Sequence, residues 1–179
     1  MRRVRNTRNW LLTTAGLLAA FCGSSSHAQA GRASLVQLES GYVLERALGE
    51  LHHGGAIGGR FYLGLSDFVM IGGAARFDVA ASSGVVLQGF VGGSALLRLD
   101  VLQWVPFATL DVGAVVAGWP RGGPNTAVDL EVAVGLGVDY LVRRGLAVGA
   151  SVRYHVHASD AGRYPAMLTV AGHIGWRFE

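Results

Sequence analysis

The segment Val85-Val-Leu-Gln-Gly-Phe-Val-Gly-Gly-Ser-Ala-Leu-Leu-Arg-Leu-Asp-Val101 alternates two kinds of residue along its whole length. Its odd positions are all apolar or glycine, whereas its even positions include Gln88, Arg98 and Asp100. Because side chains in an extended strand point alternately to opposite faces, this pattern predicts a β-strand with one wholly apolar face. Residues 79–97 carry no charge and would also pass a hydropathy test for a membrane helix, but their alternation and their glycines favour the strand.

The same alternation recurs along most of the chain. Residues 128–142 place valine, leucine and tyrosine at even positions and put Asp129, Glu131 and Asp139 at odd ones. The pattern predicts strands at 34–46, 55–65, 68–80, 85–101, 105–119, 126–142, 145–157 and 166–178. Tight turns are expected at 66–67, 102–104 and 143–145, longer connections at 47–54, 117–125 and 157–165, and a short one at 82–84.

Two architectures use strands of this kind. A soluble sheet buries its apolar face, whereas a membrane barrel turns that face to lipid and packs the polar face into its lumen. The long apolar faces and a polar face with charges of both signs favour a barrel, where opposite charges pair in a narrow lumen. The predicted inward charges are Glu39, Glu45, Asp78, Asp100, Asp111, Asp129, Glu131, Asp139, Arg60, Arg76, Arg98, Arg153 and Arg177. A soluble barrel for an apolar ligand would need the opposite arrangement, with apolar residues inside.

The first thirty residues have the three parts of a secretory signal peptide. A basic start with four arginines precedes the apolar run Trp10–Phe21, which is too short to span a bilayer, and Ala28-Gln29-Ala30 fits a small-x-small cleavage site. We therefore expect residues 1–30 to be removed and residues 31–179 to form one barrel domain. N-terminal sequencing of the exported protein should begin at Gly31, whereas an intact Met1 would mean that the segment is retained as an anchor.

Composition excludes several classes of function. Of the 179 residues only 15% are charged, 27 are glycine and none is lysine, whereas soluble domains are usually about 25% charged. The net charge of +3 comes from the signal segment, because residues 31–179 hold 11 arginines and 12 acids, a balance of −1. No basic stripe for a nucleic acid remains. The single cysteine, Cys22, also lies in the signal segment, so the exported chain would have no disulfide and no thiolate metal site.

Residues 31–179 resemble the small OmpA/OmpX-like eight-stranded outer-membrane β-barrels. The resemblance rests on the eight amphipathic strands, on the segment Leu99–Phe107 and on the tail Val170-Ala-Gly-His-Ile-Gly-Trp-Arg-Phe178. The tail is similar to the C-terminal strand signal that the outer-membrane assembly machinery reads, although here Glu179 follows the phenylalanine. The resemblance implies a multi-pass protein of the cell outer membrane among lipids and lipopolysaccharide, and it says little about activity. Because the sequence contains no complete catalytic constellation, we expect a structural or loop-mediated role, no enzymatic activity and no cofactor. Eight strands enclose an interior that side chains fill, so we expect a non-conducting lumen.

One segment carries an alternative function. His157-Ala-Ser159-Asp160 resembles the His-x-Ser-Asn motif of the lipid A deacylase barrels, in which the histidine activates the serine as nucleophile. Asp160 stands where that family has asparagine, and the family's following glutamate has no counterpart before Glu179. Exposed side chains of an outer loop would explain the same residues, so we predict no catalytic site.

The histidines raise a second alternative, a metal site. His155, His157 and His173 share the lumen side of the last two strands, but we expect hydrogen bonds to carboxylates there rather than a metal. The neighbours His52 and His53 diverge from each other and are poorer ligands still. Finally, Arg76, Arg98 and Arg153 should each lie close to one of the carboxylates Asp78, Asp100, Asp111, Asp129, Glu131 and Asp139.

Overall fold

Eight antiparallel strands form a closed barrel, as the alternation predicts. The computed structural model of the protein describes residues 33–47, 50–82, 84–99, 103–118, 127–158 and 166–178. The strands are β1 (Ser34–Ala47), β2 (Glu50–Gly64), β3 (Val69–Ala81), β4 (Val85–Arg98), β5 (Trp104–Gly118), β6 (Ala127–Arg143), β7 (Leu146–His157) and β8 (Ala166–Phe178). Residues 79–97, for which the hydropathy test alone would allow a membrane helix, instead form the end of β3 and most of β4. Among the described residues, no helix is long and apolar enough to cross a membrane.

Each strand pairs with the next in sequence, and β8 closes the ring on β1. At one end Ser34 faces both Leu63 and Phe178, and the connections there are residues 65–68, 99–103 and 144–145. We call this the turn end. The opposite end carries the connections 48–49, 82–84, 119–126 and 158–165, and we call it the loop end. The signal segment and the hydrolase residues Ser159 and Asp160 lie outside the described residues, so the cleavage site stays a prediction.

The expected long connection at 47–54 is wrong. Strand β2 already begins at Glu50, so the alternation continues through His52, which points inward, and His53, which points outward. The glycines that suggested a loop instead let neighbouring strands approach, because a Cβ on Gly54 would collide with the carbonyl oxygen of Val79. Glycine therefore marks close backbone packing here and not the end of a strand.

The two faces of the barrel have the polarity predicted from the sequence. Large apolar side chains lie on the outside, where Leu136 is 70% exposed, while inward residues such as Glu131 and His155 are fully buried. A soluble protein buries apolar side chains and hydrates charged ones. The reversal seen here suits a barrel in lipid, where an apolar band faces outward and the polar face turns in.

Apolar side chains cluster inside the barrel near the turn end. Leu35, Tyr62, Met70, Leu96 and Phe107 form one buried cluster. Phe107 fits because the neighbouring strand offers no side chain at the opposing position, Gly137. Large and small inward residues therefore complement each other across adjacent strands, as expected in a small filled barrel.

This complementarity predicts opposite effects for two glycine substitutions. In Gly137→Ala the new methyl group would collide with the Phe107 ring and lie 2.6 Å from the Ala150 carbonyl oxygen, so we expect a loss of about 1–3 kcal/mol of unfolding free energy. Gly89→Ala meets nothing within 4 Å and should be neutral or stabilising by about 0.4–1 kcal/mol. Urea unfolding of the two variants in lipid vesicles measures this difference. Equal effects would contradict the packing described for the two faces.

Candidate functional site: the charged lumen

A network of two arginines and two carboxylates crosses the middle of the lumen. Arg60 donates from Nη1 and Nη2 to the two carboxylate oxygens of Asp111, at 2.8 Å each, and from Nε to Glu39 Oε2 at 3.2 Å. Arg153 donates to both oxygens of the same Glu39 carboxylate, with Nη1 2.9 Å from Oε1. We call these four residues the central network. Its charges balance, and bidentate guanidinium–carboxylate geometry makes each pair strong.

A second network lies nearer the loop end and is built around Arg76. The Arg76 guanidinium donates from Nε to Asp78 Oδ2 at 2.7 Å and from Nη1 and Nη2 to the two oxygens of Glu131 at 3.0 Å. Glu131 also contacts two imidazoles, with His155 Nδ1 at 2.8 Å and His157 Nε2 at 3.3 Å. We call these five residues the outer network. The Glu131 carboxylate thus contacts three of the other four residues of the outer network.

A third group lies toward the turn end. Asp139 Oδ1 is 2.6 Å from His173 Nε2, and Arg98 Nη2 approaches Asp139 Oδ2 at 3.9 Å. The His173 ring packs edge-on against Phe107, with ring centroids 5.6 Å apart. This group joins the charged part of the lumen to the apolar cluster at the turn end.

The sequence predicted that three lumen arginines lie close to particular carboxylates, and this is confirmed for two of them. Arg76 contacts Asp78 and Glu131, and Arg98 lies within ion-pair distance of Asp139. For Arg153 the prediction is wrong, because its ion-pair partner is Glu39, which was not among the expected carboxylates. The residue of β8 opposite Arg153 is the short Thr169, so the arginine side chain reaches past β8 to β1.

Of the remaining predicted inward charges, Glu45 is buried, whereas two others are not. Asp129 and Arg177 are only half-buried. Asp100 lies outside the described residues. Both Asp129 and Arg177 lie near strand ends, where the lumen opens.

The structure separates the histidines considered as metal ligands. His155 and His157 share Glu131, but His173 belongs to the turn-end group with Asp139. Its imidazole therefore has a different carboxylate partner from the other two. Among the described residues no group of three or more His, Cys, Asp and Glu side chains could hold a metal ion. His52 and His53 point to opposite faces of β2, and His53 stacks on the outward Tyr42.

Only one residue of the alternative hydrolase motif can be placed. His157 ends β7, and its buried imidazole points into the lumen toward Glu131. Its proposed partners Ser159 and Asp160 lie outside the described residues. Sequence reasoning did not single out Tyr62, Gln88 and Ser94, whose polar groups take part in the lumen hydrogen bonds, although their positions in the alternation place them on the inward face.

No protein-family model and no curated protein matches this sequence. Solved structures match nearly the whole barrel. Neisserial surface protein A superposes with a TM-score of 0.68 at 16% identity, covering 82% of this chain and 99% of that chain. Ail of Yersinia pestis superposes with a TM-score of 0.55 at 15% identity, covering 83% of this chain and 99% of that one. The chain has the fold of the small outer-membrane β-barrels.

One further small outer-membrane barrel has a catalytic function. The outer-membrane enzyme PagL superposes with a TM-score of 0.52 at 12% identity, covering 79% of this chain and 98% of that chain. At such identities the likeness concerns the fold. The apolar outer face of this barrel agrees with the fold that it shares with these outer-membrane proteins.

Proposed function

We propose that the protein is an exported, multi-pass outer-membrane barrel with a filled, non-conducting lumen, and that its role is structural or is carried by its loops. The observation that supports this is a set of side-chain bridges across the lumen. Arg60 on β2 binds Asp111 on β5, Arg76 on β3 binds Glu131 on β6, and Gln88 on β4 binds Glu45 on β1.

Each of these bridges joins strands that lie three apart in an eight-stranded ring, which is almost the full diameter. Together with the apolar cluster at the turn end, they leave the interior occupied by side chains that hold one another in place. Breaking such buried charge pairs leaves an unpaired ion in a region of low dielectric, so the bridges resist opening. A filled lumen favours recognition at the loops over transport through the barrel.

Conductance measurements test this proposal. The purified barrel in a planar lipid bilayer should show no steady channel, whereas a wide porin under the same conditions gives stable steps. The double variant Arg60→Ala and Asp111→Ala removes one bridge without leaving a lone charge of that pair, and it should raise ion leakage above the wild-type level. Stable conductance steps from the wild-type protein would contradict the filled lumen.

The proposed partners are the lipids of the outer membrane, including lipopolysaccharide, and the assembly machinery that inserts such barrels. The outward face of β8 carries Leu168, Val170, Ile174, Trp176 and Phe178 at alternate positions. This is the pattern expected of a C-terminal strand whose apolar face is recognised by the assembly machinery during insertion. The connections 119–126 and 158–165 are the longest between strands and supply the chain length for an interaction with other molecules.

A second candidate function is a lipid A deacylase-like hydrolase that uses Ser159 as nucleophile and His157 as base. It is favoured by the His157-Ala-Ser159-Asp160 segment and by the fold shared with an outer-membrane enzyme. Mass spectrometry of lipid A from cells with and without the protein distinguishes the two functions. Loss of an acyl chain with the wild-type protein but not with Ser159→Ala would establish the hydrolase, and unchanged lipid A would leave the structural role.

A further inference from the structure

The loop-end half of the lumen holds more negative than positive charge. Among the described residues, Glu45, Asp78 and Glu131 are buried there beside one buried arginine, Arg76. The three nitrogens of Arg76 are all engaged, with Nε on Asp78 and both Nη atoms on Glu131. The central network, by contrast, pairs two arginines with two carboxylates. With neutral imidazoles, these four buried side chains at the loop end therefore carry a balance of −2.

Glu45 is the carboxylate that this arginine does not reach. Its side chain is 1% exposed, and among the described residues its hydrogen-bond partner is the neutral amide of Gln88. A buried carboxylate without a cation is strongly destabilising, because the amide does not replace the solvation lost. No arginine among the described residues pairs with Glu45, and the groups within its electrostatic reach that can carry a positive charge are the imidazoles of His52 and His157. While those imidazoles are neutral, Glu45 has no countercharge.

Unpartnered acceptor atoms lie beside Glu45. Gln88 Oε1 and Asp78 Oδ1 are buried and have no hydrogen-bond partner in the part of the chain that the structure describes. The two residues face each other across the β3–β4 pair, and the same Gln88 amide group contacts Glu45 through Nε2. Glu45 also lies within electrostatic reach of Asp78. Side chains from β1, β3 and β4 thus bring oxygen atoms to one part of the lumen. The one donor group among them, Gln88 Nε2, is used by Glu45, so Gln88 Oε1 and Asp78 Oδ1 stay without a donor from the described residues.

We propose that Glu45, Asp78 and Gln88 bind one hard divalent cation, Ca²⁺ or Mg²⁺, inside the loop end of the lumen. Carboxylate and amide oxygens are the ligands these ions prefer, and water completes their coordination. Two carboxylates and one amide suffice for such a site, so it needs no group of three His, Cys, Asp or Glu side chains. A divalent ion would cancel the charge balance of −2. This inference goes beyond the proposed structural role and stands without it.

Calorimetric titration of the refolded barrel tests the site. The protein, without its signal segment, is freed of metal with EDTA in a nonionic detergent that lacks lipopolysaccharide and phospholipid, which bind such ions themselves. CaCl₂ and MgCl₂ are then titrated separately. We expect saturable binding of one ion with a Kd of about 0.1–1 mM, as in other extracellular calcium modules. At roughly a hundredfold excess over Kd, the apparent unfolding temperature should rise by about 5 °C or more.

Variants locate the ion. Glu45→Gln and Asp78→Asn should each abolish the heat of binding and the rise in unfolding temperature. Asp67→Asn, which removes an exposed carboxylate at the turn end, should retain both. The wild-type titration does not depend on any variant folding, and a flat titration with both ions overturns the proposal. Binding that persists in Glu45→Gln and Asp78→Asn would place the ion elsewhere and overturns it as well.

Discussion

Replacing Glu39 by glutamine should destabilise the barrel by about 3–5 kcal/mol, because it leaves the buried Arg153 guanidinium without its ion-pair partner and leaves Arg60 with Asp111 alone. Arg153 has this carboxylate as its ion-pair partner, and Arg60 contacts it at 3.2 Å. The substitution keeps the size of the side chain, so the change isolates charge from packing. Equilibrium urea unfolding in lipid vesicles, followed by tryptophan fluorescence, measures the loss.

Glu45→Gln is the matched control for Glu39→Gln. It is the same substitution on the same strand, at another buried inward position, but no arginine of the described part of the chain pairs with Glu45. Without divalent cations the control should be neutral or stabilising, because it removes an uncompensated buried charge. Similar losses in the two variants, or a loss below about 1 kcal/mol for Glu39→Gln, would contradict the pairing described for the central network.

Arginine at position 136 should cost about 2–4 kcal/mol, the penalty for a lipid-facing cation at the middle of the bilayer. Leu136 lies near the middle of β6 and is 70% exposed on the outward face. Val128 has the same exposure, 69%, but is the second residue of the same strand. Val128→Arg should therefore cost only about 0–1 kcal/mol, because its charge reaches the interface.

The difference between these two arginine variants is the informative quantity. In water the two positions would be equivalent, since both side chains are exposed to the same degree on one face of one strand. Unfolding in vesicles of two hydrocarbon thicknesses extends the test, because a thicker bilayer should increase the penalty at position 136. Equal penalties at the two positions would show that the outer face does not meet lipid.

Strand positions were predictable from the sequence because one physical signal repeats in every strand. Period-2 alternation places Val85, Leu87 and Val91 outside and Gln88 and Arg98 inside, as the structure confirms. The signal weakens where glycine replaces side chains on both faces. Residues 54, 55, 58 and 59 are glycine, and the start of β2 was accordingly mistaken for a loop.

The sequence could predict which residues point into the lumen, but not which of them contact each other. Alternation identifies Arg153 and Glu39 as inward residues without fixing which inward residues meet. Their contact depends on the relative register of β7, β8 and β1 and on the short side chain of Thr169 between them. Register in a closed ring is set by all eight pairings together, and a single sequence carries that information only indirectly.

Collision accessibility of spin labels at the middle of the strands tests the central claim most directly. Residues 31–179 contain no cysteine, so single cysteines at Leu110, Leu136 and Val152, all outward and exposed, can each carry one nitroxide. With the refolded barrel in lipid vesicles, we predict frequent collisions with oxygen, which concentrates in the hydrocarbon, and few with a water-soluble nickel chelate. Labels that collide mainly with the nickel chelate at these three positions would contradict a barrel whose apolar face meets lipid.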